Sequence, residues 1–130
     1  MSATDYPYTG KPQACKAEKA KGKVSVTNFI NVLPHDPYQL KMAVKLGPVA
    51  ASISTSSKVF QFYKGGIISS TLCSTEETPV DSAVTIIGFG HDDHLNLDYW
   101  VIKNSWGTTW GDAGFARIAI TGGGAGICNI

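Results

Sequence analysis

The chain has 130 residues, with 11 Lys+Arg against 10 Asp+Glu, and 43% of its residues are hydrophobic while 16% are charged. That length suits one domain with one core, and the low charge density argues against disorder. A formal net charge of +1 offers no field for nucleic acid or an anionic membrane, and no apolar window is long enough to span a bilayer.

The N-terminal residues Met1–Pro7 lack the apolar stretch of a signal peptide, and the chain holds no Asn-x-Ser/Thr sequon, so the compartment stays open. Residues 1–23 read as irregular. Tyr6-Pro7-Tyr8-Thr9-Gly10 is a turn, and five lysines between Lys11 and Lys23, opposed by Glu18, read as a solvated loop rather than an anion site. Val24–Val32 is β-branched and partly alternating, which predicts a strand. Asp36-Pro37 supplies an N-cap and a first-turn proline; Leu40, Ala43, Val44 and Leu46 follow at helical spacing, and Gly47 stops the helix.

The remainder reads as sheet. Val49–Ser54, Val84–Phe89, Tyr99–Lys103 and Phe115–Ile120 are predicted strands, and Phe60–Tyr63 is a short aromatic stretch ending at Gly65-Gly66. Short strands with Gly or polar turns between them suggest a barrel or sandwich. The run Gly122–Gly126 lacks the strand–loop–helix order of a phosphate loop. Cys15, Cys73 and Cys128 form no Cys-x-x-Cys pair, and His35, His91 and His94 show no zinc spacing, so neither a metal nor a cofactor is expected.

The informative stretch is Tyr99 to Phe115, YWVIKNSWGTTWGDAGF. Its tryptophans and glycines fall in an order that a generic core strand has no reason to adopt. It resembles the asparagine block of papain-family cysteine peptidases, K-N-S-W-G-x-x-W-G-x-x-G-[YF]. Tyr6-Pro7-Tyr8, Gly47-Pro48-Val49, Phe60 to Ile67, Val80-Asp81, Gly88-Phe89-Gly90 and Gly126-Ile127-Cys128 follow in the family's order. The resemblance runs from about Asp5 to the last residue and implies an α+β, mainly β fold over residues 1–130. That fold is the papain-like C-terminal antiparallel β-barrel half-domain, with one or two short helices.

The same resemblance defines what is missing. The cysteine signature C-G-[SA]-C-[WY] belongs to the family's helical half and does not occur in these residues. A papain-like nucleophile is a thiolate paired with an imidazolium, and an Asn side chain orients that ring. Asn104 matches the orienting residue and Trp106 the indole that shields it. The motif D-H-[AG]-V, however, reads Asp81-Ser82-Ala83-Val84, so Ser82 stands at the general-base position. A hydroxyl titrates far above neutral pH and cannot form the ion pair.

No other residue takes over that role. His91 and His94 lie in a polar loop resembling the family's variable hairpin, away from the cleft, and Ser82 is not in a G-x-S-x-G elbow. By resemblance, Cys73 and Cys128 form the disulfide of the barrel half, and Cys15 matches a cysteine that bridges to the helical half and is expected free. Ser52, Val80 and Ala83 match the lining of the specificity pocket. Asn104 and Trp106 are expected to persist chiefly as packing at the barrel end.

The expectation is therefore a pseudoprotease or fragment acting as a binding or structural component. It would meet a protein partner or itself through the cleft face. The alternatives are a peptidase subunit whose nucleophile half lies in another chain, and a peptide-binding or inhibitory module. Family members are lysosomal, vacuolar or secreted, and the implied disulfide agrees with that.

Overall fold

In a computed structural model of the chain, the described residues are 2–18, 21–74 and 78–130. They divide into two compact units, Met1–Asn31 and Val32–Ile130.

The first unit is irregular, as its composition predicts. The Asp5 and Tyr6 amides donate to the Ser2 carbonyl, and the hydrogen bonds from Ser2 hold the Asp5 carboxyl below its ordinary range. Lys11, Lys16, Lys21 and Lys23 are exposed, in keeping with a solvated loop; Lys19 lies outside the described residues. The predicted strand at Val24–Val32 does not form. The segment takes part in no ladder among the described residues, and Val24, Val26, Phe29 and Ile30 are all exposed. Strand propensity is realised only where another strand supplies the hydrogen bonds and a packed face.

The second unit carries the regular elements. Helix α1 spans Pro37–Leu46. Asp36 caps it by accepting from the Gln39 amide at 2.9 Å, and Pro37 opens its first turn. Gly47 ends it, as expected, in an extended conformation, and the chain runs straight into strand β1, Val49–Ile53. The stretch at Phe60 proves to be helical: α2 covers Lys58–Gln61, capped by the Ser57 hydroxyl. A serine before a short run that alternation did not favour was the readable signal.

Strands β2 (Ile67–Ile68), β3 (Ser82–Asp92), β4 (Leu97–Lys103) and β5 (Phe115–Ala119) complete a five-stranded sheet of order β1-β3-β4-β5-β2. All pairings are antiparallel except β2 with β5. The core is read directly from the register. Val49, Ile86, Ile102 and Ala116 form one row across four strands, and Phe89, Trp100 and Ile118 form another. Ile53, Ile86, Ile102 and Ile118 are fully buried, and the Phe89 and Trp100 rings meet edge to face at 6.1 Å.

The Cys73–Cys128 disulfide joins residues 55 apart in sequence, between the 3-10 turns Thr71–Cys73 and Ile127–Asn129. Closing a loop of that length stabilises the fold by about 4 kcal/mol in the chain-entropy account. Cys15 is free and exposed.

Helix α1 is tied to the β3–β4 hairpin by one carboxylate. Asp98 accepts from Lys41 Nζ at 2.6 Å and lies 2.7 Å from His91 Nδ1. Lys41 foremost, then His91, holds the Asp98 carboxyl below its ordinary range. A carboxyl depressed in the folded state contributes stability above its unfolded value of about 4, and loses it as pH falls through the folded value. Because the group is part-exposed, the pair is worth at most about 1 kcal/mol. Urea unfolding of Asp98→Asn should therefore show a deficit within that bound at pH 7, shrinking as pH drops below about 4.

Candidate functional site

Two segments converge on the residues that the motif singles out. The first is the approach to β3. Ser54 is fully buried; its hydroxyl donates to the Pro79 carbonyl at 2.9 Å, and its amide donates to the Cys128 carbonyl at 2.8 Å. The Asn129 side-chain amide donates to the Thr78 carbonyl at 2.6 Å. Asp81 Oδ1 accepts from both the amide and the hydroxyl of Thr55, at 2.8 and 2.9 Å, while the Asp81 amide donates to Ile53. The disulfide fixes the Ile127–Asn129 turn, that turn and the end of β1 fix residues 78–81, and Ser82 follows as the first residue of β3.

The second segment is the turn from Asn104 to Phe115, which joins β4 to β5. Its backbone closes on itself: Asn104 donates to Gly114, Gly114 to Trp110, and Asp112 and Phe115 exchange a pair of bonds. Gly111 has φ +61°, and a Cβ there would lie 2.5 Å from the Phe115 carbonyl oxygen, so the motif's second W-G glycine is required by geometry. Trp110 is buried against Phe60 (centroids 4.9 Å) and Tyr63 (5.9 Å), and its indole N–H donates to the Phe60 carbonyl at 3.1 Å. Trp106 stands edge-on to both Phe60 and Trp110, at 5.5 and 5.6 Å, with 41% of its surface exposed. Short as it is, α2 sits in the fold to deliver Phe60 to this cluster.

Register then places the candidate residues. β3 pairs with β4 up to Thr85–Lys103, and one further step sets Asn104 alongside Val84. By strand alternation, Ser82 and Val84 share a face with buried Ile53, the cross-strand partner of Ser82, and Asn104 belongs to that side. Ser52 and Ala83 are direct partners on the opposite, exposed face, and Val80 precedes the strand, half exposed. The fold thus gathers Ser82 and Asn104 on one side of the sheet and Ser52 and Ala83 on the other. His91 and His94 lie at the far end of the β3–β4 hairpin, exposed, with His91 engaged by Asp98.

Asn104 is buried, yet its amide is half used. Oδ1 accepts from the Ser105 amide at 2.8 Å, and Nδ2 is buried without a hydrogen-bond partner. A buried polar group left in this way costs about 1–3 kcal/mol. Asn104 and Trp106, singled out by the motif, both lie in the turn after β4, while the Asp81–Thr55 clamp and the role of Phe60 had no signal in the motif. Among the described residues no group of His, Cys, Asp or Glu side chains could hold a metal ion.

The cluster predicts its own sensitivity. Trp110→Ala should cost about 3–5 kcal/mol in urea unfolding. Gly111→Ala should cost about 2 kcal/mol or more, from the left-handed backbone and the contact with Phe115.

Comparison with known proteins agrees with this architecture. Residues 1–130 match the family described as Papain family cysteine protease. Cathepsin L of Sarcophaga peregrina is 37% identical over 115 residues, covering 88% of this chain and 33% of that protein. Cysteine proteinase 2 of Entamoeba histolytica is 36% identical over 124 residues, covering 95% and 38%. Among solved structures, the bromelain protease of Ananas comosus in complex with the E64 inhibitor superposes with a TM-score of 0.84 at 32% identity, covering 99% of this chain and 58% of that one. The chain spans about a third of the length of the curated relatives it matches. With its mainly β sheet, its disulfide and its Trp-Gly turn, the chain belongs to the papain family of cysteine proteases.

Proposed function

We propose that this papain-family chain does not hydrolyse peptides and acts instead as a binding or structural component. The observation that carries this is Ser82, which occupies the position where the family motif requires an imidazole. A serine hydroxyl neither holds a thiolate as an ion pair nor protonates a leaving amine at neutral pH. The three histidines offer no substitute: His91 and His94 lie on the far hairpin, and His35 is held by the Gly124 carbonyl at 2.8 Å. Residues outside this chain do not change what stands at position 82.

The binding role rests on what is kept. The Asp81 clamp and the aromatic cluster still hold the cleft-side residues in place, and the Ser52–Ala83 face remains open. Ser52, Val80 and Ala83 form the floor of a groove for an apolar side chain. Another protein, or a second copy of this one, meets the face around Ser82, Asn104 and Trp106.

The unpartnered Asn104 Nδ2 favours a second reading, in which this chain is one half of a composite peptidase and another chain brings the nucleophile. Such a partner would supply the cysteine and leave position 82 without its imidazole.

Turnover of fluorogenic peptides and labelling by an epoxide cysteine-protease inhibitor test the proposal. The protein should show neither, and Ser82→His alone should not confer them, because Cys73 and Cys128 are bridged and Cys15 belongs to the irregular N-terminal unit. Peptide turnover by the unmodified chain, with covalent epoxide labelling, would overturn it.

A further inference from the structure

Val80 is an exposed apolar side chain on a backbone held from both sides. Its surface is 53% exposed, yet both peptide groups that flank it are hydrogen-bonded. The Pro79 carbonyl accepts from the Ser54 hydroxyl at 2.9 Å, and the Asp81 amide donates to the Ile53 carbonyl at 3.1 Å. Pro79 adds its own fixed φ and restricts Thr78 before it. A β-branched side chain on such a backbone keeps little rotational freedom, so its apolar surface is offered in one place.

The turn Ile127–Asn129 reaches this segment by two routes. The Cys128 carbonyl accepts from the amide of Ser54, the residue whose hydroxyl holds Pro79. The Asn129 side chain uses both of its ends: Nδ2 donates to the Thr78 carbonyl at 2.6 Å, and Oδ1 accepts from the Ser74 hydroxyl at 2.8 Å. Cys128 and Asn129 stand at φ +57° and +59°, in the left-handed region where asparagine is better tolerated than most side chains. A glycine at 129 would suit that backbone equally well, but it would supply neither bond.

We infer, building on the groove proposed for Ser52, Val80 and Ala83, that Asn129 is a positioning residue for its floor. By holding the Thr78 carbonyl, it sets where Val80 stands and how firmly an apolar side chain is received there. Preorganisation of this kind raises affinity without adding a contact.

Relaxation and titration of protein labelled with 15N and with 13C at the valine methyls test this. Asn129→Gly removes both side-chain bonds and keeps a residue suited to the left-handed backbone. The Val80 amide order parameter should fall from the rigid range of about 0.85 toward about 0.6, while Val49 and Val101 in the sheet stay as they are. Asn129→Asp keeps the acceptor for Ser74 without the donor to Thr78, and it should loosen Val80 in the same way. N-acetyl-leucine amide then probes the groove. It should shift the Val80 methyls of the unmodified chain, with a dissociation constant raised by about threefold or more in Asn129→Gly.

Val80 equally ordered in the unmodified chain and both variants would overturn the inference. So would loosening in Asn129→Gly that is absent from Asn129→Asp, which would trace the effect to Ser74. Loss of order at Val49 and Val101 as well would make Asn129 a residue of overall stability, and would overturn it too. A probe that leaves the Val80 methyls of the unmodified chain unmoved would overturn the groove instead, and the amide comparison would still decide the role of Asn129.

Discussion

The packing of Trp110 between Phe60 and Tyr63 is the contact on which the site depends. It anchors a turn whose backbone closes on itself, and that closure carries Asn104 to its buried place beside β3. The indole hydrogen bond to the Phe60 carbonyl adds direction to what would otherwise be area burial. A glycine at 111 is required because the chain there turns through the left-handed region against the Phe115 carbonyl. The W-G-x-x-W-G pattern is therefore first a statement about packing, and only through packing a statement about a site.

The approach to position 82 is tied at several points: the disulfide holds the Ile127–Asn129 turn, the turn holds residues 78–81, and Asp81 is clamped by Thr55 one residue before Ser82. The residue delivered by this machinery is a serine, and the amide that would orient a ring is turned onto its own chain at Ser105, with Nδ2 unpartnered.

Much of this was legible in the residues. The N-cap and proline of α1, the strands β1, β3, β4 and β5, and the Cys73–Cys128 pair were all readable from capping chemistry, alternation or motif order. The failures have physical causes. Val24–Val32 has strand propensity but takes part in no ladder among the described residues, and propensity alone does not satisfy backbone donors. Phe60–Tyr63 reads as a short aromatic stretch in a sheet-like remainder, yet Ser57 caps a single helical turn there, and the ring packs into the tryptophan cluster. The Asp81–Thr55 clamp and the Lys41–Asp98–His91 link join residues far apart in sequence, and spacing along the chain carries no trace of them.

The central claim is that no imidazole stands against the Asn104 amide. It is tested most directly by the through-space contacts of the Asn104 side-chain NH2 protons in 15N-labelled protein. The account predicts contacts to the Ser105 turn and none to an imidazole ring. A contact from the Asn104 amide to the ring protons of His35, His91 or His94 would place a ring beside it, and would contradict the account.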